Sequence, residues 1–206
     1  MRRTAPAPAS GRHLLDVLSD IMDVARVEAG RIDLDCEPVP VRQLVETCEA
    51  IVGGRIRDKH QRFTVTIGKD AEILHADLRL VRQVLLNLLS NATKFTPDGG
   101  RIEFVARRTR AGGIALSVAD TGIGIAPADI SRVVEPFVRV EGALSRVYEG
   151  TGLGLALTRS FMDLHGGRLE IESTLGERTT VTAIFPPAAA AAAAGAESEP
   201  ATAASA

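Results

Sequence analysis

Between residues 12 and 29 the apolar positions Leu14, Leu18, Ile21 and Ala25 recur at spacings of 4, 3 and 4, with Leu15 and Met22 beside them. This pattern predicts a helix with one apolar seam, stopped at Gly30. One helix cannot bury such a stripe by itself, so it calls for a partner helix in this chain or another. Ile32, Leu34 and Cys36 alternate inward and predict a short strand over 31–36. Pro38 and Pro40 separate that strand from a second helix at about 41–59, with a weak point at Gly53 and Gly54. Phe63, Val65 and Ile67 alternate as a strand, and after a turn at 68–70 a short extended piece leads to Asp77. Asp77 is placed to cap a third helix that runs to Phe95 and ends in the turn residues 96–100. A hairpin follows at 102–108 and 114–119, then a short helix at 127–134, an apolar knuckle at 135–140 and a mobile loop at 141–149. A last helix reaches about His165, Gly166 and Gly167 stop it, and strands 168–173 and 179–185 close the series. This order predicts an α+β fold, a two-layer α/β sandwich preceded by one long helix.

The third helix carries a second pattern. Leu85, Leu88, Leu89 and Ala92 make its buried face, while Asn87, Asn91 and Lys94 fall at i, i+4 and i+7 in another sector. Two amides and an ammonium on so apolar a helix need partners, because a buried amide left without hydrogen bonds costs about 1–3 kcal/mol. A phosphate chain with Mg²⁺ meets the need: an amide oxygen suits a hard cation and an ammonium suits phosphate oxygen. A solvated polar stripe is the plainer reading of Asn87 and Asn91 taken alone.

Composition narrows the class. Of the 206 residues 45% are hydrophobic, enough for one sizeable core, and the net charge of −2 gives no electrostatic footprint for nucleic acid. Aromatics at 3% and the lack of Trp argue against base-stacking platforms. Cys36 and Cys48 form no ligand cluster and, with no secretory signal in view, are expected reduced in the cytoplasm. No apolar run reaches the roughly 18 residues of a membrane helix. Residues 1–11 read as a disordered lead and 188–206, with seven consecutive alanines, as a disordered tail.

Two glycine clusters stand apart from the commoner phosphate motifs. The segments at Gly122 and Gly124 and at Gly150, Gly152 and Gly154 are neither a P-loop nor a full dinucleotide fingerprint. They offer backbone N–H groups at close range, and the second opens a helix, where negative charge is favoured. Asp120, at a strand end, when ionised can only accept hydrogen bonds, never donate them, and so suits an exocyclic amino group.

Taken in order, four motifs resemble those of sensor histidine kinases. Asn87, Asn91, Lys94 and Phe95 match the N box, Asp120 to Ile125 the G1 box, Glu135 to Arg139 the F box, and Gly150 to Leu155 the G2 box. The resemblance covers residues 12–187 and implies the Bergerat ATP-binding fold, with a mixed, mostly antiparallel sheet. It divides the chain into a partial dimerisation helix at 12–30 and a catalytic ATP-binding domain at 31–187. It implies ATP and Mg²⁺ as cofactors, with Asn91 on the metal and Asn87 assisting from the same face. Lys94 would meet phosphate oxygens, Phe95 would flank the nucleotide, and Asp120 would read the adenine amino group, with Gly122, Gly124 and Ile125 around the ring. Arg139 would reach the γ-phosphate, residues 140–150 would form a lid, and Gly150, Thr151, Gly152, Leu153, Gly154 and Leu155 its hinge and phosphate cradle. Thr179 would lie near the adenine, although Arg178 stands where the family commonly has glycine.

The family's phosphoacceptor is a histidine followed by an acidic residue, and none of His13, His60, His75 or His165 fits. His165 reads as a helix C-terminal residue facing the dipole. The expected partners are therefore an acceptor-histidine helix, in trans or in a longer parent chain, and a response regulator receiver domain, with a homodimer through 12–30. Three other readings share the fold. A hydrolase would carry glutamate four residues before the metal-binding asparagine, where Asn87 stands and supplies no base. The others are a nucleotide-binding or dimerising regulator without turnover and a protein serine kinase.

Overall fold

The computed structural model describes Leu18, Met22, Arg26 and residues 32–138 and 151–188. Leu18, Met22 and Arg26 are helical, and Leu18 and Met22 are half exposed. The other seam positions, Leu14, Ile21 and Ala25, lie outside the described residues, as do Arg139 and Gly150 and the expected lid between them.

Strand β1 (Cys36–Pro40) leads directly into helix α1 (Val41–Asp58). Then come β2 (Arg62–Ile67), β3 (Ile73–Asp77), helix α2 (Leu78–Phe95), β4 (Arg101–Arg108) and β5 (Ile114–Asp120). A 3₁₀ turn at Pro127–Asp129 precedes helix α3 (Gly154–Leu164) and the hairpin β6 (Arg168–Thr174) and β7 (Arg178–Phe185). Five strands form one sheet in the order β2-β4-β5-β7-β6, all antiparallel except the parallel β2–β4 pair. The helices share one apolar core with the sheet, and the architecture is α+β. Among the described residues no helix is long and apolar enough to cross a membrane.

Three local expectations shift. The strand expected at 31–36 forms at Cys36–Pro40 instead, antiparallel to β3. This places Val39 in the core at 2% exposure and leaves Cys36 exposed. Both prolines sit inside this two-stranded ladder, which tolerates them because an edge strand need not donate from every residue. The weak point at Gly53 and Gly54 does not interrupt α1, whose core face of Leu44, Val45, Cys48, Val52 and Ile56 continues past them. The helix expected at 127–134 is reduced to the 3₁₀ turn and non-helical turns after it, since none of the residues of the 3₁₀ turn is buried to reward a longer helix.

Helix α2 forms as its pattern dictates. Asp77 Oδ1 accepts the Leu80 N–H at 3.1 Å, and Leu80, Val81, Val84, Leu85, Leu88, Leu89 and Ala92 are buried along one face. A buried histidine locks that N-terminus to the C-terminus of α3. His165 Nδ1 lies 2.7 Å from the Phe161 carbonyl, and Nε2 accepts the Asp77 N–H at 3.1 Å, so the ring is neutral with its proton on Nδ1. It packs edge-on against Phe185 at 5.4 Å. His165 is therefore more than a dipole partner at a helix end: it is a neutral strut between two helices.

Burial holds the His165 pKa below the ordinary value of 6.5, against the opposing pull of the Phe161 carbonyl and the Asp77 carboxylate. A depressed histidine contributes stability above the unfolded-state value that is lost as pH falls through the folded one. Wild-type protein is thus expected to lose more stability than His165→Asn on going from pH 7.5 to pH 5.5. The same substitution is expected to cost about 1–3 kcal/mol at pH 7.5 through the bonds it removes. Urea unfolding of both proteins at the two pH values measures this. Equal slopes would show that the ring is not held neutral.

Candidate nucleotide site

Helix α2 is the floor of the site, and its middle and its C-terminal end are tied to the two glycine loops. Near its middle, Asn87 Nδ2 donates to the Gly154 carbonyl at 3.1 Å and to Thr158 Oγ1 at 3.4 Å. This fastens α2 to the first turn of α3 and leaves the amide oxygen of Asn87 as its uncommitted group. At the C-terminal end, the Phe95 carbonyl accepts the Ile123 N–H at 3.2 Å. The eight-residue step from Asn87 to Phe95 rises about 12 Å along the helix. Asn91 and Lys94 lie inside that interval, so the structure brings both glycine loops and the amide stripe to one side of α2.

The Asn91 side chain makes no hydrogen bond among the described residues and is partly exposed. Lys94 Nζ lies 4.5 Å from the centre of the Phe95 ring, a cation–π contact that holds the ammonium at the helix end. The first turn of α3 presents backbone N–H groups beside Asn87. Its approach is shaped by Gly152, whose φ of +72° and closeness to the Val138 carbonyl exclude a side chain. Thr151 Oγ1 accepts the Leu153 N–H at 3.2 Å. Leu153 is fully buried and anchors the loop in the core, whereas Gly154 and Leu155 keep partial exposure.

The second loop leaves β5 at Asp120, which is 9% exposed. Its Oδ1 accepts the Gly122 N–H at 2.8 Å. A Cβ on Gly122 would stand 2.5 Å from that same oxygen and 2.7 Å from the Phe95 carbonyl, so the loop can close on α2 only with glycine there. Gly124 takes φ of +67° and lies against the Thr174 carbonyl at the β6–β7 turn, where the Gly176 N–H donates to the Ile123 carbonyl at 2.7 Å. Ile125 N–H reaches Ser173 Oγ at 2.8 Å. Thr179, on β7, is the register partner of Asp120 and shares its face of the sheet.

Burial pushes the Asp120 carboxyl up to about 6, against the lowering effect of the Gly122 N–H and the Thr96 hydroxyl. The Thr96 Oγ1 is fully buried without a hydrogen bond of good geometry. We therefore read its influence on Asp120 as a dipole nearby rather than as a formed bond. A buried carboxylate next to an unsatisfied hydroxyl is a polar corner prepared for a ligand. An open hollow of about 360 Å³ at the far end of α2 lies beside Asp33, Asp35, Glu37 and Asp77. It holds none of the expected site residues, and its four carboxylates outnumber the two arginines, Arg79 and Arg82, that also line it, a charge balance unfavourable to a triphosphate.

Sequence reasoning missed the residues that brace the C-terminal end of α2. Lys59 Nζ donates to the carbonyls of Thr93, Lys94 and Thr96 at 2.9, 3.1 and 2.6 Å, and Gln61 Nε2 donates to those of Thr93 and Thr96 at 3.0 and 2.7 Å. Together they satisfy the open carbonyls at the C-terminus of α2 and complement its dipole. The segment after α1 reads as an ordinary polar turn, so only its placement against α2 reveals the role.

The donor set suits Mg²⁺ carried by phosphate. Among the described residues no three His, Cys, Asp or Glu side chains gather to hold a metal. A cation that keeps its waters and takes one or two protein oxygens plus phosphate matches the uncommitted Asn91 side chain better than an all-protein cage would.

Comparison with known proteins gives the family and the fold. Residues 76–189 match the family described as histidine kinase-, DNA gyrase B-, and HSP90-like ATPase. The non-motile and phage-resistance protein of Caulobacter vibrioides is 44% identical over 181 residues, which cover 86% of this chain and 21% of that one. Histidine protein kinase DivJ of the same organism is 38% identical over 177 residues, covering 86% of this chain and 29% of that one. The chain therefore spans between a fifth and a third of these two relatives. Among solved structures, full-length ShkA in complex with AMPPNP superposes with a TM-score of 0.77 at 30% identity, covering 90% of this chain and 40% of that chain.

Proposed function

The chain belongs to the histidine kinase-, DNA gyrase B- and HSP90-like ATPase family, and from that premise we propose that it is the Mg·ATP-binding catalytic module of a two-component sensor histidine kinase. It presents the γ-phosphoryl group to a histidine on a partner helix, in trans or in a longer parent chain. In the cytoplasm the phosphoryl group then passes to a response regulator receiver domain.

One observation carries this reading: α2 is bonded at Asn87 to the N-terminal turn of α3 and at Phe95 to the loop after Asp120. In this reading a nucleotide lies along the span between those ties, with its base at Asp120 and its phosphates at Gly154. Asp120 accepts the amino hydrogen of the base, and Phe95 flanks the ring. The N–H groups opening α3 face the phosphates, with Lys94 supplying charge. Asn91 would hold Mg²⁺, which when bound neutralises phosphate charge and orients the transferring group. Asn87 separates the kinase from the hydrolase. It occupies the place where a hydrolase needs a carboxylate base, its NH₂ is already donated to Gly154 and Thr158, and an amide takes no proton at neutral pH.

The test is incubation with γ-labelled ATP and Mg²⁺, with and without a fragment bearing an acceptor-histidine helix. Little label is expected on the chain alone and acid-labile phosphohistidine on the fragment. Rapid phosphate release without the fragment would establish a hydrolase. Strong self-labelling removed by His13→Ala would place the acceptor in this chain.

A further inference from the structure

Ser173 is drawn on by no step above, yet its hydroxyl is a saturated junction. It stands on β6 as the register partner of Thr179 on β7, which is in turn the register partner of Asp120 on β5. The three residues thus lie side by side across three strands. Around Ser173 Oγ sit the Ile125 N–H at 2.8 Å, the Arg178 carbonyl at 2.8 Å and Thr179 Oγ1 at 2.9 Å.

Counting protons fixes the direction of every bond. The Ile125 N–H can only donate and the Arg178 carbonyl can only accept, so Ser173 spends its single proton on Arg178. The remaining bond must then run from the Thr179 hydroxyl to Ser173 Oγ. Thr179 is left with lone pairs alone on its other side, and its register partner across the sheet, Asp120, is when ionised also an acceptor.

We propose that Ser173 is a positioning residue of the nucleotide site, which fixes Thr179 as an acceptor beside Asp120 and so makes the pocket select a 6-amino purine over a 6-oxo purine. The inference rests on the nucleotide reading above. A 6-amino group brings hydrogens to two acceptors, whereas a 6-oxo group brings a third acceptor and leaves desolvated oxygens facing one another. Without Ser173 the Thr179 hydroxyl rotates freely and can turn its proton toward an oxo group.

The experiment compares the dissociation constants of ATP and ITP, both with Mg²⁺, for wild type, Ser173→Ala, Ser173→Thr and Thr179→Val, with thermal melting as the control for folding. In Ser173→Ala the preference for ATP over ITP is expected to fall about tenfold, the worth of one directed hydrogen bond. Ser173→Thr, which keeps the hydroxyl, is expected to restore the wild-type preference. Thr179→Val is expected to lower the preference as well, with no further loss when combined with Ser173→Ala, because the two act as one unit. An unchanged preference in Ser173→Ala overturns the proposal. Equal weakening of ATP and ITP also overturns it, since Ser173 would then only brace the loop. Wild type that binds neither nucleotide refutes the nucleotide reading itself.

Discussion

Asparagine at position 120 is expected to make the nucleotide-free protein more stable at pH 8 while removing its recognition of adenine. Asp120 is buried, and its folded-state pKa of about 6 lies above the ordinary carboxylate value of 3.8. The native state therefore holds a proton that the unfolded chain has already released between those values, so stability falls as pH rises through this window and stays low above it. The shift corresponds to a penalty on the order of 2–3 kcal/mol at pH 8. Asp120→Asn does not titrate and escapes the penalty. Its melting temperature should exceed that of wild type by roughly 4–10 °C at pH 8, and the gap should close by pH 4. A variant that melts below wild type at pH 8 would show that the carboxylate is better satisfied than its burial indicates.

On the proposed function the same substitution is expected to weaken nucleotide binding for a geometric reason. The Gly122 N–H claims one oxygen of residue 120, so the amide of an asparagine must turn its oxygen there and its NH₂ toward the ligand. The amino group of adenine would then meet a donor instead of an acceptor. Loss of a charge-assisted bond plus an unpaired donor corresponds to a drop on the order of 100-fold in ATP affinity. Calorimetric titration with Mg·ATP reads it directly.

Alanine at Gly124 should damage the protein more than alanine at any freely turning glycine. Its φ of +67° disfavours an L side chain, and a Cβ there would run into the Thr174 carbonyl and the backbone of Leu175. The conformation costs about 1–2 kcal/mol and the overlap about 1–3 kcal/mol more. A fall of roughly 5–15 °C in melting temperature is expected, with loss of nucleotide binding as the Asp120 loop parts from the β6–β7 turn. Gly176 separates the two terms: its φ is +81°, but nothing lies within 4 Å of a Cβ. Gly176→Ala should therefore show the conformational cost alone. Equal losses in the two variants would mean that the contact with Thr174 carries no weight.

The residues that were legible along the chain are those whose pattern repeats locally. Leu85, Leu88, Leu89 and Ala92 mark the buried face of α2 by spacing alone, and Asp77 marks its start by chemistry. The β4–β5 hairpin and the β6–β7 hairpin follow from alternation and from the glycines between the strands. The strand at Cys36–Pro40 was misplaced because its pairing partner, β3, lies more than thirty residues on. Alternation at 31–36 and the prolines at 38 and 40 argued locally for something else, and the ladder outweighed them. Ser173, Lys59 and Gln61 left no trace in the pattern, since a polar residue on a strand edge or in a turn is what solvent alone would select.

The sequence by itself determined helices α1, α2 and α3, the two hairpins, the α+β class and the set of candidate groups for a nucleotide, because periodicity, capping and glycine placement act over a few residues. Only the tertiary structure decided which of those groups meet: Asn87 with Gly154, Phe95 with Ile123, and Ser173 and Thr179 beside Asp120. Those contacts join segments separated by tens of residues, and they exist because one buried core draws α2, α3 and three strands together. The direction of a proton at Thr179 is set the same way, by partners that no local pattern brings near.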